Sequence, residues 1–186
     1  DVLGSRGLGD VYKRQEQQYT KQEVFTMGKV IAVCISKEKG TQKYRIPEGE
    51  FIEEWGLKDD AHAGKWHRQI SLLSQEKVDA FKAKGADIHP GSFGENLIVE
   101  GFDFSAMPVG TRFVIGDVVL EMTQIGKECH NHCVIYKKMG DCIMPKEGVF
   151  AEVVEGGHIK VGQEVTCILP KADRPYTCLL YTSPSP

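Results

Sequence analysis

Val109-Gly110-Thr111-Arg112-Phe113-Val114-Ile115-Gly116-Asp117-Val118-Val119-Leu120-Glu121-Met122 consists of two β-rich runs around a Gly-Asp pair. β-Branched and aromatic residues favour extended chain, and Gly-Asp between two such runs is turn chemistry, so the stretch predicts a β-hairpin. Short apolar runs of the same kind recur on both sides: Lys29–Ser36, Tyr44–Pro47, Gln69–Leu73, Leu97–Glu100, and a closing pair, Ile159–Gly162 with Glu164–Leu169. Turn formers separate them, most densely in Ile88–Leu97. Helical patterning is brief. Ser74–Lys84 has Val78 and Phe81 on one face, Ser74 as a candidate N-cap and Gly85 as a stop. Val134–Met139 is a helical turn ended by Gly140, and Gly148–Glu155 reads as a further short helix. Many short strands with few helices predict a mainly β fold, a barrel or a sandwich.

The two ends do not belong to this pattern. Residues 5–15 and 178–186 can be encoded by one transposase-type library adapter read in opposite directions. Lys21 to Thr26 can be encoded with a purine-rich ribosome-binding sequence just ahead of a start codon at Met27. The expected organisation is therefore a non-native or untranslated leader over residues 1–26, one domain over 27–172 and a non-native tail over 173–186.

The formal net charge is −3 at pH 7. A mildly acidic chain without basic runs is a poor partner for nucleic acid, whose binding rests on phosphate neutralisation. No apolar run approaches the roughly 18 residues that mark a membrane span. From Met27 onward there is no export signal. The five cysteines of the expected domain (Cys34, Cys129, Cys133, Cys142 and Cys167) form an odd set, which points to free thiols in a reducing cytoplasm. Cys34, inside an apolar run, reads as a small buried hydrophobe.

Downstream of the hairpin lies Gln124-Ile125-Gly126-Lys127-Glu128-Cys129-His130-Asn131-His132-Cys133. Two thiols and two imidazoles within five residues can ligate a soft metal, carry sulfur or attack an electrophile. Cys129, His130, His132, Cys133 and Cys142 could supply four tetrahedral zinc ligands. A single Cys-x3-Cys pair does not match the common paired knuckles, so a zinc-stabilised β module stands as an alternative.

Four segments in chain order resemble the MOSC domain, named for the C-terminal domain of molybdenum cofactor sulfurases. They are the polar loop with His62 and Gly64 leading into His67-Arg68-Gln69-Ile70-Ser71-Leu72-Leu73; Phe93-Gly94-Glu95-Asn96-Leu97; the hairpin into Thr123-Gln124 and Cys129; and Pro145-Lys146-Glu147-Gly148-Val149-Phe150-Ala151. The resemblance covers essentially all of Met27–Ile168 and is closest to the small stand-alone bacterial branch. It implies a MOSC-type β-barrel that binds the molybdenum cofactor (molybdopterin). In some relatives a Cys thiolate ligates molybdenum and the enzyme reduces N-hydroxylated compounds; in others the Cys is proposed to handle sulfur for cofactor maturation. The implied partners are the cofactor and either an external electron donor or a cofactor-biosynthesis protein. A non-catalytic cofactor carrier is the alternative. Cofactor sulfurases also carry a pyridoxal-phosphate domain, for which this chain has no room, so pyridoxal-phosphate chemistry is not expected.

Carried onto this sequence, the resemblance makes Cys129 the reactive thiol and the molybdenum ligand, with Cys133 as second choice and Cys142 as a possible resolving thiol. Lys127, His130 and His132 could favour the thiolate electrostatically. Many relatives place Pro before the Cys; Glu128 stands there instead and opposes ionisation. Arg68 is expected to bind the cofactor's phosphate as a bidentate donor, and His62 and His67 to donate to an oxyanion or a metal oxo group. Solvated loop residues are the alternative for all three. Gly94, Glu95 and Asn96 read first as a tight structural turn, with a wall of the cofactor pocket as the second reading, and Glu95 could bond neighbouring backbone amides.

Overall fold

The computed structural model describes residues 24–128 and 134–170. The hairpin forms as its sequence dictates. Strand β7 (Arg112–Ile115) and strand β8 (Val118–Ile125) pair antiparallel around Gly116-Asp117, with Arg112 opposite Glu121 and Ile115 opposite Val118. Gly116 turns at φ +60°, a conformation that glycine adopts without strain. Phe113, Ile115 and Leu120 are fully buried, whereas Arg112 and Val114 are only half-buried, the alternation of a strand with one face on a core.

The other strands extend this pair into a closed barrel. They are β1 (Val24–Ile35), β5 (Ile70–Ser74), β6 (Leu97–Glu100), β9 (Val149–Glu155) and β11 (Glu164–Ile168). The order runs β11-β7-β8-β9-β5-β6-β1, and β1 pairs back onto β11. All neighbours are antiparallel except β5 and β6. Closure removes the open edges on which sheets aggregate. Strand β2 (Tyr44–Ile46) hangs from β1. Strands β3 (Glu48–Ile52), β4 (Gly56–Leu57) and β10 (Gly157–Lys160) form a separate three-stranded ribbon.

Two apolar clusters hold the fold. Inside the barrel, Phe102, Phe104 and Phe113 meet with ring centroids 5.2–5.8 Å apart, beside Leu72, Leu97, Leu120, Met122 and Val165. Outside it, helix α1 (Gln75–Ala83) lays Val78 and Phe81 over Ala32, Cys34, Leu73 and Ile98. The second half of β1, Val30–Ile35, and the whole of β5 are therefore buried or nearly so on both faces, and Val30–Ile35 is a continuous apolar run rather than an alternating one. Ser74 precedes α1 in extended conformation, but its hydroxyl bonds the Glu76 carboxylate rather than capping a backbone amide. Two further helices are short: α2 (Val134–Met139) and α3 (Met144–Glu147).

Two sequence expectations change. Val149–Glu155 is strand β9, not a helix. A seven-residue stretch that is largely apolar but broken by Glu152 and Glu155 has no decisive period, and pairing with β8 on one side and β5 on the other settles its conformation. Strands β10 and β11 are consecutive but do not pair. The intervening turn is held by β1 instead: Val30 N–H donates to the Gln163 carbonyl at 2.9 Å, and Gly162 N–H to the Val30 carbonyl at 2.7 Å. The first of the two strands then joins β3, and the second joins β1 and β7.

Candidate functional site

At one end of the barrel, three loops surround a cleft of about 630 Å³. That size lies in the range of small-molecule pockets.

The first wall is the loop between β4 and β5. Its anchor is Asp60, whose side chain is fully buried. Asp60 Oδ1 accepts from Ser36 N–H at 3.0 Å, Oδ2 accepts from His62 N–H at 3.1 Å, and both oxygens accept from Lys43 Nζ at 2.8 Å. Burial opposes ionisation of Asp60, but the facing His62 ring, the Lys43 ammonium and the Ser36 N–H overcome it and hold the carboxyl well below the usual range. Burial in turn lowers the Lys43 pKa, and Asp60 opposes that fall. Beyond this anchor the Trp66 indole N–H donates to the His62 carbonyl at 2.9 Å. The Arg68 guanidinium lies 4.9 Å from the Trp66 ring centroid and 5.8 Å from that of Phe150. Arg68 Nε and His62 Nδ1 are shut off from solvent without a hydrogen-bond partner among the described residues.

The second wall is the turn before β6. Glu95 is fully buried and turned into the protein. Its carboxylate accepts from Gly91 N–H at 2.7 Å and from Phe93 N–H at 3.0 Å. Burial raises its pKa, while those amides and Lys43 pull the other way. Gly91 sits at φ +93°, and a side chain there would run into the Lys43 carbonyl. Asn96 links three strands. Its Oδ1 accepts from Ser71 N–H at 3.2 Å and from the Ser71 hydroxyl at 3.1 Å, and its Nδ2 donates to the Cys34 carbonyl at 3.2 Å. Gly94 and Asn96 line the cleft; Glu95 shapes the turn from behind.

The third wall is the excursion between β8 and β9. Ile125 pairs with Val149, and Gly126 N–H donates to the Gly148 carbonyl at 2.7 Å, so the segment leaves and rejoins the barrel at one point. Lys127 on one flank and Val134 and Ile135 on the other line the cleft, as do Cys142 and Met144. Cys129 and Cys133, with His130 and His132, fall between these flanks and lie outside the described residues.

The sequence-predicted residues are thus partly gathered. His62, Arg68, Gly94, Asn96, Lys127 and Cys142 share one cleft. His67 does not line it: the ring is exposed, with Nε2 3.0 Å from Gln124 Oε1, and its carbonyl accepts a bond from the Thr123 hydroxyl. The Thr123-Gln124 pair therefore fastens the first wall to β8. Cys34 is completely buried, and burial followed by the Glu95 charge pushes its pKa up to about 12. Sequence reasoning missed Lys43, Trp66 and Phe150. The two aromatics sat in segments already singled out, but an isolated lysine ahead of a short strand carries no signal.

The donor set suits an anionic ligand with a flat organic part. Arg68 and Lys127 supply positive charge, Arg68 Nε is a buried donor without an acceptor among the described residues, and Trp66, Phe93 and Phe150 supply apolar surface.

The fold is shared with solved proteins of low sequence identity. The YuaD protein from Bacillus subtilis superposes with a TM-score of 0.63 at 17% identity, over 78% of this chain and 98% of its own. YiiM from Escherichia coli gives 0.58 at 17% identity, over 80% and 73% of the two chains. YiiM from Geobacillus stearothermophilus gives 0.56 at 18%, over 75% and 74%. No curated protein matches the chain. The model of the MOSC domain matches residues 59–166, from the Asp60 anchor to strand β11, and the chain belongs to the MOSC domain family.

Proposed function

We propose that the cleft binds the molybdenum cofactor and that Cys129, with Cys133 as second choice, is the working thiol, acting in sulfur transfer to the cofactor or in reduction of N-hydroxylated compounds. One observation carries this: Arg68, its Nε buried and without an acceptor among the described residues, faces the same cleft as both flanks of the segment that bears Cys129. A buried cationic donor without an acceptor is costly, and an anionic ligand would relieve it.

In this reading Arg68 and Lys127 hold the cofactor's anionic end. Trp66 and Phe150 keep the Arg68 guanidinium in place, and Phe93, Gly94 and Asn96 form the opposite wall. Cys129 supplies the soft thiolate ligand. The cofactor, when bound, supplies the redox-active or sulfur-accepting metal centre. A reductase would draw its electrons from an external donor. The chain acts in the cytoplasm, where the thiols stay reduced.

The test is metal and pterin analysis of protein produced in cells that make the cofactor. Molybdenum and pterin together are expected in the wild type and depleted in Arg68→Ala. Zinc without molybdenum or pterin would overturn the proposal in favour of a zinc-stabilised module. Molybdenum retained undiminished in Cys129→Ser would remove Cys129 as ligand. Cofactor bound without reduction of N-hydroxylated compounds, with an electron donor supplied, and without sulfur transfer would make the chain a carrier.

A further inference from the structure

His62 differs from the other cleft residues in what lies behind it. Its backbone is clamped twice: its N–H donates to Asp60 Oδ2 at 3.1 Å, and its carbonyl accepts from the Trp66 indole at 2.9 Å. Its ring turns Nδ1 inward, where that nitrogen is shut off from water. Asp60 Oδ2 lies 3.7 Å away and is the carboxylate oxygen paired with it among the described residues. That separation is about half an ångström beyond an ordinary N–H···O bond, within the reach of a small ring rotation. Asp60 is in turn fixed by Lys43, which bonds both of its oxygens from a position with 1% side-chain exposure.

A buried ion pair far from any ligand is weak evidence of function, because well-packed apolar residues often do as well. This one is different in placement. Lys43 cancels the charge of Asp60, so the pair adds no net negative charge beneath the ring. What it supplies is an acceptor of fixed direction on the protein side of Nδ1. Which nitrogen of a neutral imidazole carries the proton is set by the hydrogen bonds the two ring nitrogens make: one that faces an acceptor such as a carboxylate keeps the proton. A carboxylate behind one nitrogen fixes the tautomer and the ring plane together, as carboxylates do behind metal-bound imidazoles.

We propose that Asp60 and Lys43 are positioning residues for His62: they hold Nδ1 as the protonated nitrogen, turned inward, and leave Nε2 with its lone pair as the nitrogen offered to the cleft. The cleft then has an acceptor beside the donors Arg68 and Lys127. It would recognise a ligand that brings an N–H or O–H group as well as negative charge. The inference rests on the cleft being a ligand site, but its test needs no ligand, so it can fail or stand independently of the cofactor proposal.

The test is long-range proton–nitrogen correlation NMR on uniformly nitrogen-labelled full chain, at a pH where histidines are neutral. The His62 signals are identified by their loss in His62→Gln. The expected result is an Nδ1–H tautomer for His62 in the wild type, shifting toward a mixture with Nε2–H in Asp60→Asn. An Nε2–H tautomer or a doubly protonated ring in the wild type would overturn the proposal. So would an Nδ1–H tautomer left unchanged by Asp60→Asn in a folded variant. The wild-type tautomer decides the question even where Asp60→Asn does not fold. A merely structural ion pair would not move this signature.

Discussion

Lys43 Nζ lies 2.8 Å from both carboxylate oxygens of Asp60, and neither side chain has more than 1% of its surface exposed. The pair ties the segment before β2 to the loop before β5, 17 residues on, and so sets where the first wall of the cleft stands. Lys43→Met leaves Asp60 buried and unpaired and should cost roughly 3–5 kcal/mol of stability. Denaturant titration checks this, and the double variant Lys43→Met with Asp60→Asn should recover part of the loss, since no lone charge remains. A double variant no more stable than Lys43→Met would contradict this account.

The same pair makes a pH prediction. The folded Asp60 carboxyl has a depressed pKa, so its contribution is complete above the unfolded aspartate value, about 3.9, and is lost as pH falls through the folded value. Asp60→Asn should flatten the acid limb of the stability profile below about pH 4. Thermal melts of both proteins across the acid range measure it; parallel acid limbs would show that Asp60 contributes nothing there.

Arg68 sits over two aromatic rings, with its Nε buried. Arg68→Lys keeps the charge but loses the planar fork and much of the stacking. Loss of one charge-assisted bond of about 1.5–3 kcal/mol predicts a roughly 10- to 100-fold weaker hold on the cofactor in both Arg68→Ala and Arg68→Lys. Pterin retained per chain after dialysis is the readout, and full retention by Arg68→Lys would show that only the charge matters.

Asn96 bonds Ser71 on β5 and Cys34 on β1 from its own place at the start of β6. Asn96→Ala removes the partner of the buried Ser71 N–H and of the Cys34 carbonyl. It should destabilise the domain by about 2–3 kcal/mol. Asn96→Asp should be at least as harmful, because a carboxylate cannot donate to the Cys34 carbonyl. Equilibrium unfolding measures both.

Cys34, completely buried with its pKa pushed up to about 12, should stay unlabelled by iodoacetamide at neutral pH in the folded protein and react only on unfolding. Peptide mapping after brief alkylation would show it. Rapid labelling of Cys34 in the native state would mean that α1 opens readily.

The hairpin at Val109–Met122, the mainly β class and the short α1 were legible from local chemistry alone. Gly116-Asp117 between two β-rich runs, and Val78 with Phe81 three apart, need no partners to be recognised. The family was legible as well, through four segments in order, and one local arrangement within them was legible too: Glu95 bonds the neighbouring amides of Gly91 and Phe93. Tertiary structure decided what depends on distant partners. Val149–Glu155 became a strand only because β8 and β5 flank it on either side. His62 and Arg68 entered the cleft while His67, adjacent to Arg68, was turned out toward Gln124, a choice between neighbouring residues that no sequence pattern records. Lys43 left no mark in the sequence, since a lysine reads as solvated until the fold closes Asp60 over it. Local preference is written in neighbouring residues, but burial and pairing are written only when the barrel closes.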